Sequence, residues 1–377
     1  MVSRFIFNET SYFGWGAREA LVSELIKRKY KRALVVTDNN LTKVAKKITD
    51  MLEVVGVEHH VYKDVVPNPT IENVKKGLKI ANKYHVDFIV AVGGGSVIDV
   101  AKAIGIISTN PEYNDVKSLV GVVDTKNKSL PIIAIPTTAG TAAEVTINYV
   151  ITDSERKVKL VCFDPHDIPV LSIVDTELMA GMPVSVAAST GLDALTHAME
   201  CYITKNHNDM SDMFALKAIN LIYHNLEKAV NKDKEAMDKM ALGEYIAGMG
   251  FSNVGLGIVH SMSHQLSAMY DTPHGLANAI LLPYVLKYNG EVCVDRFVDM
   301  AQEMDLEVDK TNAVDVVVDA IKELNSRLNI PVHIKEVGAL EKDIPELADK
   351  ALKDPCTGGN PREMDIKEFE DLFRKAL

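Results

Sequence analysis

A run of apolar residues that ends in glycines constrains the fold of this chain more than any other feature of its sequence. Residues 87–92 have the β-branched and aromatic composition of a buried strand, and a Gly-Gly-Gly-Ser run at 93–96 and a helical pattern from about Val97 follow directly. Glycines let a backbone approach a phosphate closely, and the free N–H groups at a helix start attract anions. The junction therefore predicts a pyrophosphate cradle. The alternative is a tight turn in a packed strand–helix unit, although three consecutive glycines exceed what a turn requires.

The pattern around this junction alternates between strands and helices. Apolar runs at 33–37, 59–62 and 131–136 indicate further strands, and helical spacing covers 41–55 and 71–84. Such alternation predicts a parallel sheet with helices on both faces, which binds ligands at the carboxyl ends of its strands.

The second half changes character near residue 183. Helical periodicity there extends over a series of segments with few strand patterns: 186–204, 208–228, 235–250, 255–270, 274–288, 291–303 and 312–327. The predicted fold is thus an α/β N-terminal domain with a parallel sheet at 1–183, followed by an all-α helical domain at 184–377. The 377-residue length agrees with about two domains, and a cleft between domains is a common place for a small-molecule site.

Polar residues follow two other predicted strands of the first half. Asp38 ends an early strand, where its carboxylate would accept hydrogen bonds from ribose hydroxyls and repel a 2′-phosphate, or would simply cap the next helix. The hydroxyls of Thr137, Thr138 and Thr141 follow the strand at 131–136, and they would bind phosphate or ribose, or close a turn.

Histidines recur at helical spacing in apolar surroundings of the second half. Asp193 and His197 are four residues apart, as are His260 and His264, and His274 opens a further helix. Residues at that spacing share one helix face. A buried carboxylate or imidazole is unfavourable unless it is paired or coordinated, so the combined pattern predicts a metal site, although any single histidine is better explained as a hydrogen-bonded core or surface residue. Carboxylate and imidazole without thiolate suit Fe²⁺ or Zn²⁺.

The composition excludes some classes of partner. Lys and Arg (41) are outnumbered by Asp and Glu (52), for a net charge of −11, which argues against nucleic-acid binding and against docking on anionic lipid. The four cysteines are scattered without a CxxC pair, and no apolar run reaches the ~18 residues that span a bilayer. We expect a cytoplasmic protein without a nucleic-acid or membrane partner.

With these motifs taken together, the chain resembles the iron-containing (group III) alcohol dehydrogenases over nearly its whole length. The segments that carry the resemblance are the glycine run with Asp99 and Lys102, and the stretches 191–197, 255–264 and 273–283. Within the family, the stretches 161–169 and 247–255 and the tail at 356–362 are most similar to the lactaldehyde reductase (propanediol oxidoreductase) branch.

The resemblance implies a role for each matching position. It implies the metal ligands Asp193, His197, His260 and His274, of which His274 is also expected to take part in catalysis, and it places His264 beside the metal without ligating it. The implied dinucleotide contacts are Asp38, Asn68, Gly94, Gly95, Ser96, Thr137, Thr138, Thr141, Lys159 and Leu178. The implied substrate pocket contains Asn148, Phe251, Leu256 and Cys356.

The implied activity is reversible hydride transfer between NAD(H) and a small alcohol or aldehyde, with lactaldehyde and 1,2-propanediol as the first choice of substrate pair. An aspartate at position 38 goes with NAD preference in the family, and His264 is the candidate proton relay or else a pocket-wall residue. Fe²⁺ is the expected metal, with Zn²⁺ as the alternative, and a homodimer is implied. The other candidates are a glycerol-dehydrogenase-like zinc enzyme, a 1,3-propanediol or butanol dehydrogenase, and a non-catalytic nucleotide- or metal-binding protein.

Overall fold

The structure of the protein is a computed structural model that describes residues 3–377. Its contacts divide the chain into two compact units, unit 1 up to Met182 and unit 2 over Pro183–Leu377. Unit 1 is an α/β unit and unit 2 is helical.

Unit 1 is built on a parallel sheet, as the alternating pattern predicts. Its strands are β1 (Thr10–Phe13), β2 (Arg32–Asp38), β3 (Glu58–Val65), β4 (Phe88–Gly93), β5 (Gly121–Val122), β6 (Ile132–Pro136), β7 (Asn148–Asp153), β8 (Val158–Phe163) and β9 (Leu171–Val174). Its helices are α1 (Ala20–Arg28), α2 (Thr42–Val54), α3 (Ile71–Tyr84), α4 (Gly95–Thr109) and α5 (Thr176–Met179). Six strands pair in the order β1-β9-β6-β4-β2-β3, and every pairing among them is parallel.

Alternate residues of the central strands pack on opposite faces of this sheet. Leu34 and Ile89 belong to a core that includes Val74 of α3 and Ile104 of α4. Their chain neighbours contribute to a second core on the other face, with Leu21 and Leu25 of α1 and Ile48 and Leu52 of α2. Successive residues of a strand point to opposite faces of the sheet, and helices cover both faces here. The strands therefore need near-continuous apolar runs.

A second, three-stranded sheet in unit 1 was absent from the prediction. It has the order β5-β8-β7, with β7 and β8 antiparallel across a turn at 154–157. Lys159 on β8 lies opposite Thr152 on β7 in this pairing.

A buried lysine joins the first helix after the glycines to the start of this small sheet. Lys102 on α4 is fully buried, and its Nζ donates to the carbonyl oxygens of Thr146 (2.6 Å) and Asn148 (2.9 Å). Nζ also lies 3.9 Å from Oδ1 of Asp167, which is itself fully buried. Burial lowers the pKa of Lys102 and raises that of Asp167, and each charge partly offsets the shift of the other. Lys102 therefore holds unit 1 together rather than presenting a cation to solvent.

Replacing Lys102 with methionine is expected to destabilise unit 1 by about 3 kcal/mol or more, because removal of one member of a buried ion pair leaves the other uncompensated. Chemical denaturation followed by the fluorescence of Trp15, the single tryptophan, reports on unit 1. The matched control is Lys46→Met, since Lys46 is exposed and pairs with Asp50 on its own helix, and a change within about 0.5 kcal/mol is expected there. Equal stabilities of the two variants would contradict the structural role of Lys102.

Unit 2 contains helices throughout, and the described residues 183–377 include no strand. The helices are α6 (Val184–Ile203), α7 (Asp209–Val230), α8 (Lys234–Val254), α9 (Ile258–Tyr270), α10 (His274–Gly290), α11 (Val294–Glu303), α12 (Ala313–Arg327), α13 (Ile344–Leu352) and α14 (Ile366–Ala376). Among residues 3–377, none of the helices combines the length and the apolar character needed to cross a bilayer.

Candidate cofactor and metal sites

The candidate dinucleotide residues of unit 1 follow adjacent parallel strands at one sheet edge. Asp38 ends β2, the glycine run ends β4, and Thr137 follows β6. Because parallel strands have their carboxyl ends on the same side, the neighbouring order β6-β4-β2 brings these segments together. The chain reverses its winding direction between β2 and β4, which is where open α/β sheets bind ligands.

The glycine run lies against the threonines that follow β6. Gly94 is the N-cap of α4 and has no side chain to bond the helix N–H groups. A Cβ atom on Gly94 would lie 3.1 Å from Oγ1 of Thr138, and one on Gly95 would lie 2.6 Å from Oγ1 of Thr141. A side chain at position 95 would therefore force a shift, and one at 94 would make a tight contact. The 15-residue helix α4 begins with N–H groups beside two hydroxyls, a chemistry suited to phosphate.

The remaining candidate dinucleotide residues occupy the same edge of the sheet or contact it. Asp38 uses Oδ1 to accept from the N–H groups of Asn40 (2.7 Å) and Leu41 (3.2 Å), so it caps a turn, as the simpler alternative expects. Asn68 follows β3 with a positive φ of 52°, and its Oδ1 accepts a 2.7 Å bond from Nζ of Lys159. Leu178 follows β9 on α5 and is buried. The structure thus brings Lys159 of the small sheet to the edge of the large one.

Three helices of unit 2 bring the candidate metal ligands into one cluster. Asp193 and His197 project from α6, His260 from α9 and His274 from the start of α10. One ligand atom of each residue lies within 4.8 Å of those of the others. The close packing of α10 on α6 depends on Gly275, where a Cβ would lie 2.4 Å from the carbonyl oxygen of Ser189. The four-residue spacing predicted that Asp193 and His197 share one face of α6. The packing of α9 and α10 against α6 adds His260 and His274 to them.

The oxygen and nitrogen atoms that the cluster offers as ligands fit a divalent cation. Nδ2 of Asn278 donates to Oδ1 of Asp193 (2.6 Å) and also lies 3.1 Å from Nε2 of His260 and 3.2 Å from Nε2 of His274. An amide has only two hydrogens, so it cannot satisfy three acceptors at once. Buried acceptors converging on one point are a natural ligand set for a cation, and one carboxylate with imidazoles suits Fe²⁺ or Zn²⁺.

Burial shifts two residues of the cluster, Asp193 and His260, towards their neutral forms. It raises the pKa of Asp193 to about 7, and the hydrogen bond from Asn278 only partly opposes this shift. Burial also lowers the pKa of His260 well below its usual value, with a smaller contribution from the neighbouring His264. Neutral imidazole is the form that ligates a metal, and a cation in contact with Asp193 would hold that carboxylate ionised.

His264 is close to the cluster but has a partner of its own. Its Nδ1 lies 2.8 Å from Oδ2 of Asp354, and its ring stacks on that of His274 with centroids 5.3 Å apart. Oδ1 of Asp354 accepts from the N–H of Cys356 at 3.0 Å, so the carboxylate is held from both sides. His264, Asp354 and Cys356 form a second group whose ligand atoms are close together.

The candidate pocket residues are divided between the two units. The ring of Phe251 stacks on His197 with centroids 4.3 Å apart, and Leu256 and Cys356 are buried in unit 2. Burial raises the pKa of the Cys356 thiol, which therefore remains a neutral, apolar group. Asn148 begins β7 in unit 1, where its carbonyl oxygen accepts from Lys102.

Three residues of the metal cluster's surroundings were absent from the sequence prediction. Asn278 lies four residues after His274, and Glu200 lies seven after Asp193, so helical spacing alone would have placed both on the faces of the ligands. Nδ1 of His260 lies 2.6 Å from Oε2 of Glu200. No local pattern links Asp354 with His264, which is 90 residues away along the chain.

Comparison with known proteins identifies the family of the chain. Residues 8–176 match the model of the iron-containing alcohol dehydrogenase family, and residues 187–377 match that of the C-terminal region of the Fe-containing alcohol dehydrogenase family. The chain is 50% identical to lactaldehyde reductase of Escherichia coli K12, covering 100% of both chains. It is 42% identical to 1,3-propanediol dehydrogenase of Citrobacter freundii, covering 92% of each.

Solved structures give the same result for the fold. The crystal structure of a 1,3-propanediol oxidoreductase matches with a TM-score of 0.96 at 38% identity, and covers 100% of both chains. An alcohol dehydrogenase from Oenococcus oeni matches with a TM-score of 0.96 at 35% identity, again over 100% of both chains. The chain is therefore an oxidoreductase that belongs to the iron-containing alcohol dehydrogenase family.

Proposed function

We propose that the protein transfers a hydride reversibly between NAD(H) and a small alcohol or aldehyde, with lactaldehyde and 1,2-propanediol as its substrate pair. The observation that carries the proposal is the cluster of Asp193, His197, His260 and His274, whose ligand atoms lie within 4.8 Å of one another. The 50% identity to a lactaldehyde reductase over the full length supports the choice of substrate pair. A 1,3-propanediol dehydrogenase activity is the second candidate, supported by the 42% identity to such an enzyme.

In this proposal the residues of unit 2 hold the metal and those of unit 1 hold the dinucleotide. When bound, NAD(H) supplies or accepts the hydride, and the divalent cation polarises the substrate oxygen as a Lewis acid. The four cluster residues bind the cation, and His274 thereby also takes part in catalysis. The start of α4, with Gly94, Gly95 and Ser96, binds the pyrophosphate together with the hydroxyls of Thr137, Thr138 and Thr141.

Asp38 is proposed to select NAD over NADP. Its carboxylate would accept hydrogen bonds from the ribose and repel a 2′-phosphate. Both of the cap bonds that it makes use Oδ1, and the residue is only half-buried. Asn68, Lys159 and Leu178 are proposed to complete the dinucleotide site. There the 2.7 Å bond from Nζ of Lys159 to Oδ1 of Asn68 holds the lysine ammonium group in place.

His264 is proposed to exchange the proton that accompanies hydride transfer. Asp354 accepts the hydrogen on Nδ1 of His264, which leaves Nε2 as the nitrogen that gives or takes a proton. Phe251, Leu256, Cys356 and Asn148 are proposed to line the substrate pocket. The apolar character of the first three favours a short carbon chain and excludes water from it.

Fe²⁺ is the proposed metal, with Zn²⁺ as the alternative, because oxygen and imidazole ligands serve both. The protein is further proposed to be a cytoplasmic homodimer whose only other partner is the small alcohol or aldehyde substrate, without a nucleic-acid or membrane partner.

A substrate panel on protein loaded with Fe²⁺ under anaerobic conditions tests the function. Lactaldehyde, 3-hydroxypropanal, butanal and dihydroxyacetone are each offered with NADH and with NADPH, and kcat/KM is measured. The highest value is expected for lactaldehyde with NADH. A higher kcat/KM for 3-hydroxypropanal, butanal or dihydroxyacetone would show that lactaldehyde is not the preferred substrate. The same panel is run on the Zn²⁺ form, where higher activity than in the Fe²⁺ form, with dihydroxyacetone as the best substrate, would indicate a glycerol-dehydrogenase-like zinc enzyme. No turnover of any of the four compounds with either cofactor, despite bound metal, would indicate a non-catalytic binding protein.

A Gly95→Ala variant is expected to bind NADH at least about 10-fold more weakly, which corresponds to about 1.4 kcal/mol. The added Cβ would lie 2.6 Å from two atoms of the Thr141 side chain, so the loop must move away from its cradle geometry. The matched control is Gly181→Ala, where a Cβ meets nothing within 4 Å. Fluorescence titration with NADH measures both affinities, and an unchanged affinity of the Gly95 variant would contradict the cradle.

A further inference from the structure

Glu200 is a buried carboxylate of helix α6 that contacts the first residues of helix α9. It lies seven residues after Asp193 and is 1% exposed. Its Oε1 accepts a 2.7 Å bond from the N–H of Val259, and its Oε2 lies 2.6 Å from Nδ1 of His260. Both oxygens are therefore engaged with α9, the helix that carries His260.

The backbone around Glu200 is shaped to receive it. Burial raises the pKa of the Glu200 carboxyl group, and the N–H groups of Gly257, Val259 and His260 oppose this shift and favour the ionised form. A Cβ atom on Gly257 would lie 2.8 Å from Oε1 of Glu200, so any other residue there would displace the carboxylate. A buried carboxylate is costly, and a helix N-terminus is one of the few places that stabilises it.

The contact with Nδ1 decides which nitrogen of His260 carries hydrogen. When Glu200 is ionised its carboxylate can only accept, so Nδ1 of His260 donates and Nε2 keeps its lone pair. That Nε2 lies 3.9 Å from Oδ1 of Asp193 and 3.1 Å from Nδ2 of Asn278, inside the ligand cluster. The contact with Glu200 thus sets both the orientation of the His260 ring and which of its nitrogens is free to bind a metal.

We propose that Glu200 is a positioning residue of the metal site, which holds His260 in the Nδ1–H form with Nε2 directed at the metal. The proposal rests on the proposed function, since it takes the cluster as the metal site. A carboxylate behind a ligating imidazole raises its basicity and fixes its direction, and the loss of such a partner commonly costs about 10- to 100-fold in metal affinity.

The Glu200→Gln variant removes the charge and keeps the shape. An amide offers one oxygen and one NH₂ group, so it cannot accept from both Val259 and His260. If the NH₂ group faces His260, Nδ1 must accept and Nε2 takes the hydrogen, which blocks ligation. We expect the affinity for Zn²⁺, measured by competition with a chromophoric chelator, to fall about 10- to 100-fold. The ligand-field spectrum of the Co²⁺ form is expected to change as well.

The matched control is Glu24→Gln in unit 1. Glu24 is 3% exposed and also uses both oxygens, which accept from Tyr12 (3.1 Å) and Arg28 (2.9 Å). This variant also replaces a buried carboxylate with an amide, but away from the metal cluster, and is expected to keep wild-type affinity for Zn²⁺. Equal affinities of Glu200→Gln and wild type would overturn the positioning role while leaving the metal site intact. Failure of the wild type to bind Zn²⁺ or Co²⁺ would overturn the proposed metal site itself.

A measurement on the unaltered protein covers the case in which the Glu200 variant does not fold. The Zn²⁺ form is labelled with ¹⁵N in its histidines, and the His260 signals are assigned by their loss in a His260→Asn variant. The ¹⁵N shifts are expected to show a protonated Nδ1 and a metal-bound Nε2, with the Nδ1–H proton shifted downfield by the carboxylate. A metal-bound Nδ1, or a protonated Nε2, would overturn the proposal.

Discussion

Replacement of His260 by alanine is expected to remove the bound metal and to lower kcat/KM by about 10³-fold or more. A Lewis-acid cation contributes several kcal/mol of charge stabilisation in the transition state, and about 4 kcal/mol corresponds to about 10³-fold in rate. The variant also separates Glu200 from its partner, 2.6 Å away in the wild type, and leaves a buried carboxylate without it. Metal analysis of anaerobically prepared protein and steady-state kinetics with NADH measure the two effects together.

The matched control for that variant is His224→Ala. His224 is also in unit 2, on α7, but its Nε2 contacts the carbonyl oxygen of Glu303 at 3.1 Å, and it is not part of the cluster. Metal content and kcat/KM of the control are expected to equal those of the wild type. A His260 variant that retained full metal content and full turnover would show that the ligand assignment is wrong.

The sequence predicted four of the six strands of the large sheet, β2, β3, β4 and β6, and the apolar runs of β2, β4 and β6 are buried on both faces. It missed the two shortest strands of that sheet, β1 and β9, which have four residues each, although β9 is fully buried. β1 is a four-residue edge strand that alternates between half-buried and exposed positions, so its pattern is weak. β7 and β8 carry apolar residues, but their pairing depends on a turn at 154–157 whose antiparallel geometry breaks the strand–helix alternation. The C-terminal helices α13 and α14 were also missed, although Phe369, Leu372, Phe373 and Ala376 have helical spacing and are buried.

In the candidate sites, too, the sequence predicted what depends on local spacing and missed what depends on tertiary packing. Spacing of four residues placed Asp193 with His197 on one helix face, and the strand ends placed Asp38 beside the glycine run. The contacts that hold these groups come from distant parts of the chain. Asp354 reaches His264 across 90 residues, and Lys159 reaches Asn68 across 91. Such contacts depend on how helices and sheets pack, which no local period encodes.

The Asp354 contact leads to the prediction for His264. A His264→Asn variant is expected to keep its metal and to lose about 10²-fold in kcat, the lower end of what general acid–base groups contribute. Asparagine keeps a polar amide in place of the ring, but it cannot exchange a proton as an imidazole does. If His264 exchanges the proton, the pH–rate profile must therefore lose the limb that this residue provides.

The Asp354→Asn variant separates a proton relay from a pocket wall. It retains the imidazole of His264 but replaces the carboxylate 2.8 Å from Nδ1 with an amide, so either tautomer of the ring can be held. A relay requires the correct tautomer, and kcat is expected to fall while KM for lactaldehyde changes little. A wall residue would instead give a change in KM and an unchanged pH–rate profile in both variants. That second outcome would remove His264 from the proton path and leave it as a ring that packs on His274.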